Sequence, residues 1–147
     1  RSGGGSVEAL PFTPFGGSTV QVVDNPDQRP GSINTSNRVL ETVHGNEVWA
    51  GIEVNLDSKL DFSTDSLIKI KIWAPTAGTM RVKIEDQNDA NTFVERDVAV
   101  PVAFNWIEVS VGFSTAAADT YDKLVLFPGW DVANAGTFYL DDIRQDK

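Results

Sequence analysis

Hydrophobic and polar residues alternate along most of this chain. In Leu67–Trp73, which reads LIKIKIW, three isoleucines alternate with two lysines and a tryptophan. In an extended strand successive side chains point to opposite faces, so the isoleucines share one face and the polar residues the other. No segment of a dozen residues carries a convincing helical stripe. The pattern therefore predicts β-strands throughout.

Clusters of Gly, Pro, Asn and Asp separate about nine such segments. The predicted strands are 19–23, 38–43, 48–56, 67–73, 80–85, 92–100, 106–113, 123–127 and 137–143. Short alternating strands with turn signals between them predict an all-β, antiparallel β-sandwich (jelly roll) with about nine strands in two sheets. We expect a single domain over residues 7–147, with residues 1–6 a linker or cloning remnant.

Net charge and cysteine content narrow the possible functions. The chain has 21 acidic and 12 basic residues, a formal charge of -9, which argues against nucleic acid or an anionic membrane surface as the partner. It has no cysteine, which excludes thiol catalysis, disulfides and cysteine-ligated zinc. No apolar run approaches the roughly 18 residues that span a bilayer.

Catalytic patterns are weak. His44 is the single histidine, no nucleophile elbow is present, and Tyr121 and Tyr139 are too scattered to suggest a polysaccharide lyase. Paired carboxylates for glycoside hydrolysis arise by chance in a chain this acidic. A binding module is favoured over an enzyme, with a jelly-roll lyase or hydrolase fragment as the less favoured alternative.

Seven short stretches, in this order, carry a family resemblance. They are FGGSTVQVVDNPD at 15–27, SINTS at 32–36, WAG at 49–51, DFS at 61–63, KIWAP at 71–75, VKIED at 82–86 and FYLDDI at 138–143. Together they resemble a β-sandwich carbohydrate-binding module of marine Bacteroidetes polysaccharide-degrading enzymes and surface proteins, similar to carbohydrate-binding families 4 and 16. The resemblance runs from about residue 12 to residue 145.

The resemblance implies a monomeric, non-catalytic polysaccharide-binding module, appended to a catalytic domain or surface protein and secreted or exposed on the cell surface. It also implies a structural Ca²⁺ near the chain ends, with Asp142 and Asp141 as candidate ligands and Glu8 as a remote one. Alternation sends the two aspartates to opposite faces. Relatives often begin with an Asp-Phe-Glu strand, whereas residues 10–15 here read LPFTPF, so one expected ligand is missing.

Tryptophans are the first candidates for sugar contact, because sugars present C–H faces to flat aromatic rings and hydroxyl groups to polar side chains. Trp130 follows Pro128 and Gly129 in a turn, which favours an exposed, ligand-stacking ring. Trp49, beside small neighbours, is equally consistent with stacking and with packing. For Trp73 and Trp106 packing is favoured.

Polar partners are expected in the long 24–37 loop and beside Trp130. The candidates are Arg29, Asn25 and Asn34 in the loop, for which a solvated connector is an equally good interpretation, and Asp131. A neutral β-glucan such as laminarin is the favoured ligand.

An anionic or galactan algal polysaccharide (alginate, carrageenan or agar type) remains the alternative because of a basic ladder on two strands. The ladder consists of Lys69, Lys71, Arg81 and Lys83, predicted to lie outward on adjacent strands. A charge-paired, solvated face is the favoured interpretation of this ladder, and a dock for uronate or sulfate groups is the other.

Overall fold

The computed structural model describes residues 11–147, so the predicted linker at 1–6 and Glu8 lie outside the described residues. The described part contains ten strands and no helix, and hence no helix that could cross a membrane. The strands are β1 (Thr13–Phe15), β2 (Thr19–Asp24), β3 (Arg38–Val43), β4 (Gly51–Asn55), β5 (Leu67–Trp73), β6 (Gly78–Asp86), β7 (Asp89–Val100), β8 (Trp106–Gly112), β9 (Lys123–Pro128) and β10 (Thr137–Asp146).

The strands form two five-stranded antiparallel sheets. Sheet A has the order β1-β4-β9-β6-β7, and sheet B has the order β2-β3-β10-β5-β8. The nine predicted strands correspond to β2 through β10, and the all-β sandwich is confirmed. The additional strand, β1, has only three residues, too few for an alternating pattern to show.

The core fills the space between the sheets with alternate residues of each strand. The three isoleucines of β5 face inward from sheet B, and Met80, Val82 and Ile84 of β6 face inward from sheet A. Each such side chain contributes roughly 1.5–3 kcal/mol when it leaves water. The intervening polar and aromatic residues point to the two outer faces.

One prediction about the outer faces is wrong. Consecutive strands β5 and β6 do not pair with each other, because the chain crosses from sheet B to sheet A between them. Lys69 and Lys71 therefore lie on the outer face of sheet B, and Arg81 and Lys83 lie on that of sheet A. The basic ladder is two separate pairs on opposite sides of the molecule.

The 24–37 loop folds across the outer face of sheet B. Asn25 Oδ1 accepts a hydrogen bond from Trp106 Nε1 at 2.9 Å, and Asp27 Oδ2 accepts one from Trp73 Nε1 at 3.2 Å. Trp106 is consequently 3% exposed, and Trp73 is half-buried. The longest loop thus covers two of the four tryptophans.

Candidate functional site

Four aromatic side chains form a continuous cluster on the outer face of sheet A. Phe15 of β1 meets Phe127 of β9 edge-on, with ring centroids 5.6 Å apart, and Phe127 meets Trp130 edge-on at 5.1 Å. Trp49, which precedes β4, lies almost parallel to Phe15 at 6.3 Å. We call Trp49, Phe15, Phe127 and Trp130 the aromatic cluster.

Trp49 is the open end of this cluster. Its side chain is 47% exposed, and the parallel contact with Phe15 occupies only one of its two ring faces. Gly51 makes the arrangement possible, because a Cβ there would lie 2.3 Å from the Leu126 carbonyl oxygen and 3.0 Å from the Phe15 ring. The absence of a side chain at Gly51 thus lets the Phe15 ring lie across β4.

Trp130 is half-buried and already has a partner on one face. The Arg81 guanidinium lies 3.9 Å from the centroid of its ring, a cation–π contact, and Phe127 meets the indole edge-on. The Trp130 backbone N–H donates to Thr79 O at 2.9 Å. Trp130 is therefore a fixed part of the surface, and Trp49 offers the more open ring.

The loop between β9 and β10 holds Trp130 beside the segment that carries Trp49. The Asp131 N–H donates to Val48 O at 3.0 Å, and the Asn134 N–H donates to Gly45 O at 2.9 Å. Asp131 and Asn134 both have positive φ, 69° and 52°, which Asn and Asp tolerate better than most residues. Three predicted ligand-binding residues, Trp130, Trp49 and Asp131, are thereby brought together.

Charged side chains extend the face away from the aromatic cluster. Arg81 forms a bidentate pair with Asp97, with distances of 2.7 and 3.1 Å, and its third nitrogen lies 3.2 Å from Glu95 Oε1. The hydrogen bond from Arg81 lowers the pKa of Asp97. Arg81 is therefore held rigidly between the Trp130 ring and β7.

Two lysines complete the row. Lys83 Nζ lies 3.2 Å from Glu85 and 4.5 Å from the Phe93 ring centroid, and Lys123 Nζ lies 3.9 Å from Glu53 and 3.7 Å from Glu85. Among the residues that the structure describes, the salt bridges of this face join three basic to four acidic side chains. The cations are charge-paired, as the favoured interpretation of the ladder requires.

The other three predicted polar partners lie elsewhere, on the loop over sheet B. Asn25 is buried and uses its amide group on Asn34 O, Ser36 O, Trp106 and the Asp27 N–H. Asn34 is 2% exposed. Arg29 is exposed but belongs to the opposite face of the sandwich. The structure therefore separates Asn25, Asn34 and Arg29 from the aromatic cluster.

The two candidate metal ligands lie under the same loop. Asp142 adopts φ 49° in a β-bulge, and its Oδ2 pairs with Lys71 Nζ at 2.6 Å on the outer side of sheet B, where Asp141 also lies. The expectation that the two side chains point to opposite faces is wrong, because the bulge interrupts the alternation. Burial and then the neighbouring Asp142 charge raise the pKa of Asp141.

The Asp141 carboxylate fits a cation better than Asp142 does. Within residues 11–147, neither Asp141 oxygen has a hydrogen bond of ordinary geometry, although the Asn34 and Ser36 side chains lie beside it and oppose the rise in its pKa; Asp142 Oδ1 also lacks a partner. Buried carboxylate oxygens with spare acceptor capacity are the kind of ligand that Ca²⁺ uses. In the same residues, however, no cluster of three or more His, Cys, Asp or Glu is present that could hold a metal.

Several residues of the sheet A face did not stand out in the sequence. Phe15 and Phe127 lie in ordinary strands, and their closeness depends on the pairing of β1, β4 and β9, which alternation does not specify. Phe93 had the same alternating pattern as core residues. The available signal was Arg81 and Lys83, which alternate with the apolar residues Met80, Val82 and Ile84.

Comparison with known proteins identifies the fold. No protein-family model matches the chain, and no curated protein sequence matches it. Among solved structures, a family 11 carbohydrate-binding module from Clostridium thermocellum, in complex with a β-1,3-1,4-mixed-linked tetrasaccharide, is 15% identical with a TM-score of 0.60. That match covers 90% of this chain and 85% of the module. The fold of this chain is that of the β-sandwich carbohydrate-binding modules.

Two further structures are similar. The CBM22-2 xylan-binding domain from Paenibacillus barcinonensis Xyn10C is 16% identical with a TM-score of 0.57, and the match covers 99% of both chains. An exo-β-agarase is 10% identical with a TM-score of 0.68, and the match covers 92% of this chain. The chain spans about a quarter (24%) of that agarase. The fold implied by the family resemblance is therefore confirmed.

Proposed function

We propose that this domain is a non-catalytic carbohydrate-binding module that binds a polysaccharide on the outer face of sheet A. The observation that carries the proposal is the aromatic cluster, with the half-exposed Trp49 ring at its open end and a row of rigidly held charged groups beside it. Stacked rings and directional polar groups are the two elements that recognise a sugar.

In this proposal, the two parts of the face contribute different contacts to the sugar. The free side of the Trp49 ring packs against the C–H face of a pyranose, where both surfaces lose water. The carboxylates of Glu95, Asp97 and Asp131 accept hydrogen bonds from sugar hydroxyls, and the Arg81 guanidinium donates them. Because these groups already hold one another in place, binding costs little side-chain entropy.

Charge pairing favours a neutral ligand. The face joins Arg81, Lys83 and Lys123 to four carboxylates, so an anionic chain would meet net negative charge and would have to compete with existing salt bridges. The family 11 module binds a mixed-linkage β-glucan oligosaccharide, and the CBM22-2 domain is described as xylan-binding. We therefore propose a neutral β-linked polysaccharide, with β-glucan as the first choice.

Affinity electrophoresis through gels that contain laminarin, mixed-linkage β-glucan or xylan tests this function. We expect retardation of the wild type by at least one neutral glycan and at least about tenfold weaker binding of Trp49→Ala, which corresponds to roughly 1.4 kcal/mol. Val48→Ala is the matched control, because Val48 is the adjacent residue and is similarly exposed. Retardation of Trp49→Ala equal to that of the wild type would show that the sheet A site is wrong.

An agar-type galactan is the second candidate, since an exo-β-agarase is among the similar structures. Alginate and carrageenan belong to the same test, because their charged groups make binding salt-dependent. Binding of a neutral glycan through stacking changes little between about 50 mM and about 500 mM NaCl, whereas binding of an anionic chain weakens. Attachment to a polysaccharide-degrading enzyme, export and a monomeric state stay predictions.

We also propose a structural Ca²⁺ held by Asp141, with Asp142 Oδ1 as a second ligand. The buried oxygens of these residues, which have no hydrogen bond of ordinary geometry, support the proposal, while Lys71 already neutralises the other oxygen of Asp142. A bound Ca²⁺ would tie the 24–37 loop to β10. We expect CaCl₂ to raise the melting temperature relative to EGTA in the wild type and in Asp24→Asn, an exposed surface control, but not in Asp141→Asn. A melting temperature insensitive to CaCl₂ would contradict the proposal.

A further inference from the structure

The sheet B side of the molecule carries an exposed phenylalanine in an unfavourable backbone conformation. Phe104 lies in the turn between β7 and β8 with φ 56°, and its side chain is 58% exposed. A left-handed conformation brings the Cβ of an ordinary residue too close to the following carbonyl oxygen, and burial of the ring does not compensate for it here. Such outliers are typical of ligand-contacting segments, so Phe104 calls for a functional explanation.

Two contacts hold Phe104 in this conformation. Its N–H donates to Ala74 O at 2.8 Å, and its carbonyl oxygen accepts a hydrogen bond from Arg29 Nη2 at 3.0 Å. Arg29 is itself fixed by Asp27, whose Oδ1 lies 2.7 Å from Arg29 Nε. The 24–37 loop and the end of β5 therefore jointly fix the backbone that presents the ring.

Phe104 is the first of three aromatic rings in a row. Its ring centroid lies 5.4 Å from that of Trp73 at an interplanar angle of 64°, and Trp73 lies 5.4 Å from Tyr139 at 76°. An edge-to-face contact uses at most one face of a ring, so one face of Phe104 is free of Trp73. We call Phe104, Trp73 and Tyr139 the second aromatic surface.

Polar groups border this surface on two sides. The Arg29 side chain, 59% exposed, lies beside Phe104, and Glu41 pairs in register with Tyr139 on the neighbouring strand. Gln21 Nε2 donates to Glu41 Oε1 at 2.8 Å. Burial, followed by the Glu41 charge and a hydrogen bond to Glu41, raises the pKa of Tyr139, so Tyr139 and Glu41 hold each other at this end of the row.

We propose that the second aromatic surface is a second carbohydrate-binding site, which stacks a pyranose ring on Phe104. Arg29 contacts the hydroxyl groups at the edge of that ring, and Glu41, beside Tyr139 at the far end of the row, contacts a further sugar of the same chain. The choice of a sugar as ligand rests on the proposed function of the domain. A protein partner fits less well, because stable interfaces bury roughly 800 Å² on each partner around a core depleted of charged residues, whereas here a narrow row of rings lies between charged groups.

The two sites face away from each other. The aromatic cluster lies on the outer face of sheet A, and the second aromatic surface lies on the sheet B side, with the core between them. One sugar chain stacked along sheet A does not reach the Phe104 ring on the other side. The domain would therefore hold two chains, and binding to an insoluble polysaccharide would gain from avidity.

The experiment follows the indole N–H signals of the four tryptophans by NMR while the β-1,3-1,4-mixed-linkage tetrasaccharide, a laminarin oligosaccharide or a xylan oligosaccharide is added. Trp73 reports on the second surface because it touches Phe104, and its N–H is held by Asp27. The variants are Trp49→Ala, Phe104→Ala and the double variant. Val102→Ala, an exposed apolar position in the same turn, is the matched control, and Phe104→Tyr tests rescue by another aromatic ring.

In Trp49→Ala we expect the Trp73 signal to shift when sugar is added. In the double variant, which also carries Phe104→Ala, we expect the affinity measured by this shift to be about tenfold weaker, or roughly 1.4 kcal/mol. Phe104→Tyr restores the binding, and Val102→Ala leaves it unchanged. A Trp73 signal that stays fixed, while Trp49→Ala abolishes binding, overturns the second site and leaves the proposed function intact.

The remaining outcomes separate the two proposals further. If Trp49→Ala binds like the wild type and Phe104→Ala does not bind, the sheet A site is wrong and the second site stands. If no sugar moves any indole signal, both proposals fail. If Phe104→Ala instead only reduces self-association in sedimentation velocity, the surface is a protein interface, and the second carbohydrate site is wrong.

Discussion

The outer faces of sheets A and B have similar sequence patterns, but their tryptophans differ in how far they are covered. Each face carries two tryptophans and receives a pair of basic residues from one alternating strand, Arg81 and Lys83 from β6 on sheet A and Lys69 and Lys71 from β5 on sheet B. On sheet B the 24–37 loop lies over the strands and takes up the indole N–H groups of Trp73 and Trp106. On sheet A the Trp49 ring stays about half exposed. A connecting segment far away in sequence thus decides which tryptophan rings are covered.

The largest expected effect is the difference in unfolding free energy between replacing the covered Trp106 and replacing the half-exposed Trp49. We expect Trp106→Ala to lower the free energy of unfolding by about 3–5 kcal/mol, because a buried ring is lost and Asn25 loses its partner. Trp49→Ala should change it by less than about 0.5 kcal/mol, as surface substitutions usually do. Urea denaturation measures both. Equal losses for the two variants would mean that the faces do not differ.

The loop itself can be tested at Asn25. Asn25→Ala removes four hydrogen bonds at once and leaves Trp106 Nε1 buried without an acceptor, so we expect a loss of about 1–3 kcal/mol in unfolding free energy. Asn37→Ala is the control, because Asn37 is exposed in the same loop. The loop does not depend on this residue if the two variants unfold at the same urea concentration.

The contribution of Arg81 to the binding face of sheet A can be tested by substitution. Arg81→Gln removes the cation over Trp130 and the bidentate pair with Asp97. Because a cation–π contact at a partly exposed site is worth about 0.5–1 kcal/mol, we expect glycan affinity to fall only a fewfold and Trp130 fluorescence to change. Arg38→Gln, which breaks an exposed ion pair near sheet B, should leave both unchanged. Full affinity in Arg81→Gln would remove this residue from the site.

The smallest effect concerns pH and the attachment of the loop. The hydrogen bond from Arg29 is the main cause of the lowered pKa of Asp27, and the bond from Trp73 adds to it. A pKa lowered by folding gives stability that is present above the unfolded value, about 3.9, and is lost as the pH falls through the folded value. Asp27→Asn should therefore be less stable than the wild type at about pH 5, with a smaller difference at about pH 2.5. A difference that does not change with pH contradicts this account.

The sequence predicted where the strands lie in the chain better than it predicted which strands are neighbours in the sheets. Alternation gives the location and inward face of a strand such as β5, because period 2 is a property of the backbone alone. Which strands pair depends on contacts between distant segments, and for that reason the basic ladder was assigned to one face instead of two. The fate of each tryptophan was equally non-local. Trp106 is buried by Asn25, 81 positions away, and one face of the Trp49 ring is covered by Phe15, which is also distant in sequence.

The sheet A face has one position that does not tolerate substitution, Gly51 on β4, and positions on β7 that do. At β4 no side chain larger than hydrogen fits between the Leu126 carbonyl and the Phe15 ring. On the edge strand β7, by contrast, Phe93, Glu95 and Asp97 point outward, and within residues 11–147 no strand lies beyond them. A library designed to retarget this domain to a new sugar should therefore vary positions 93, 95 and 97 and leave the glycine untouched.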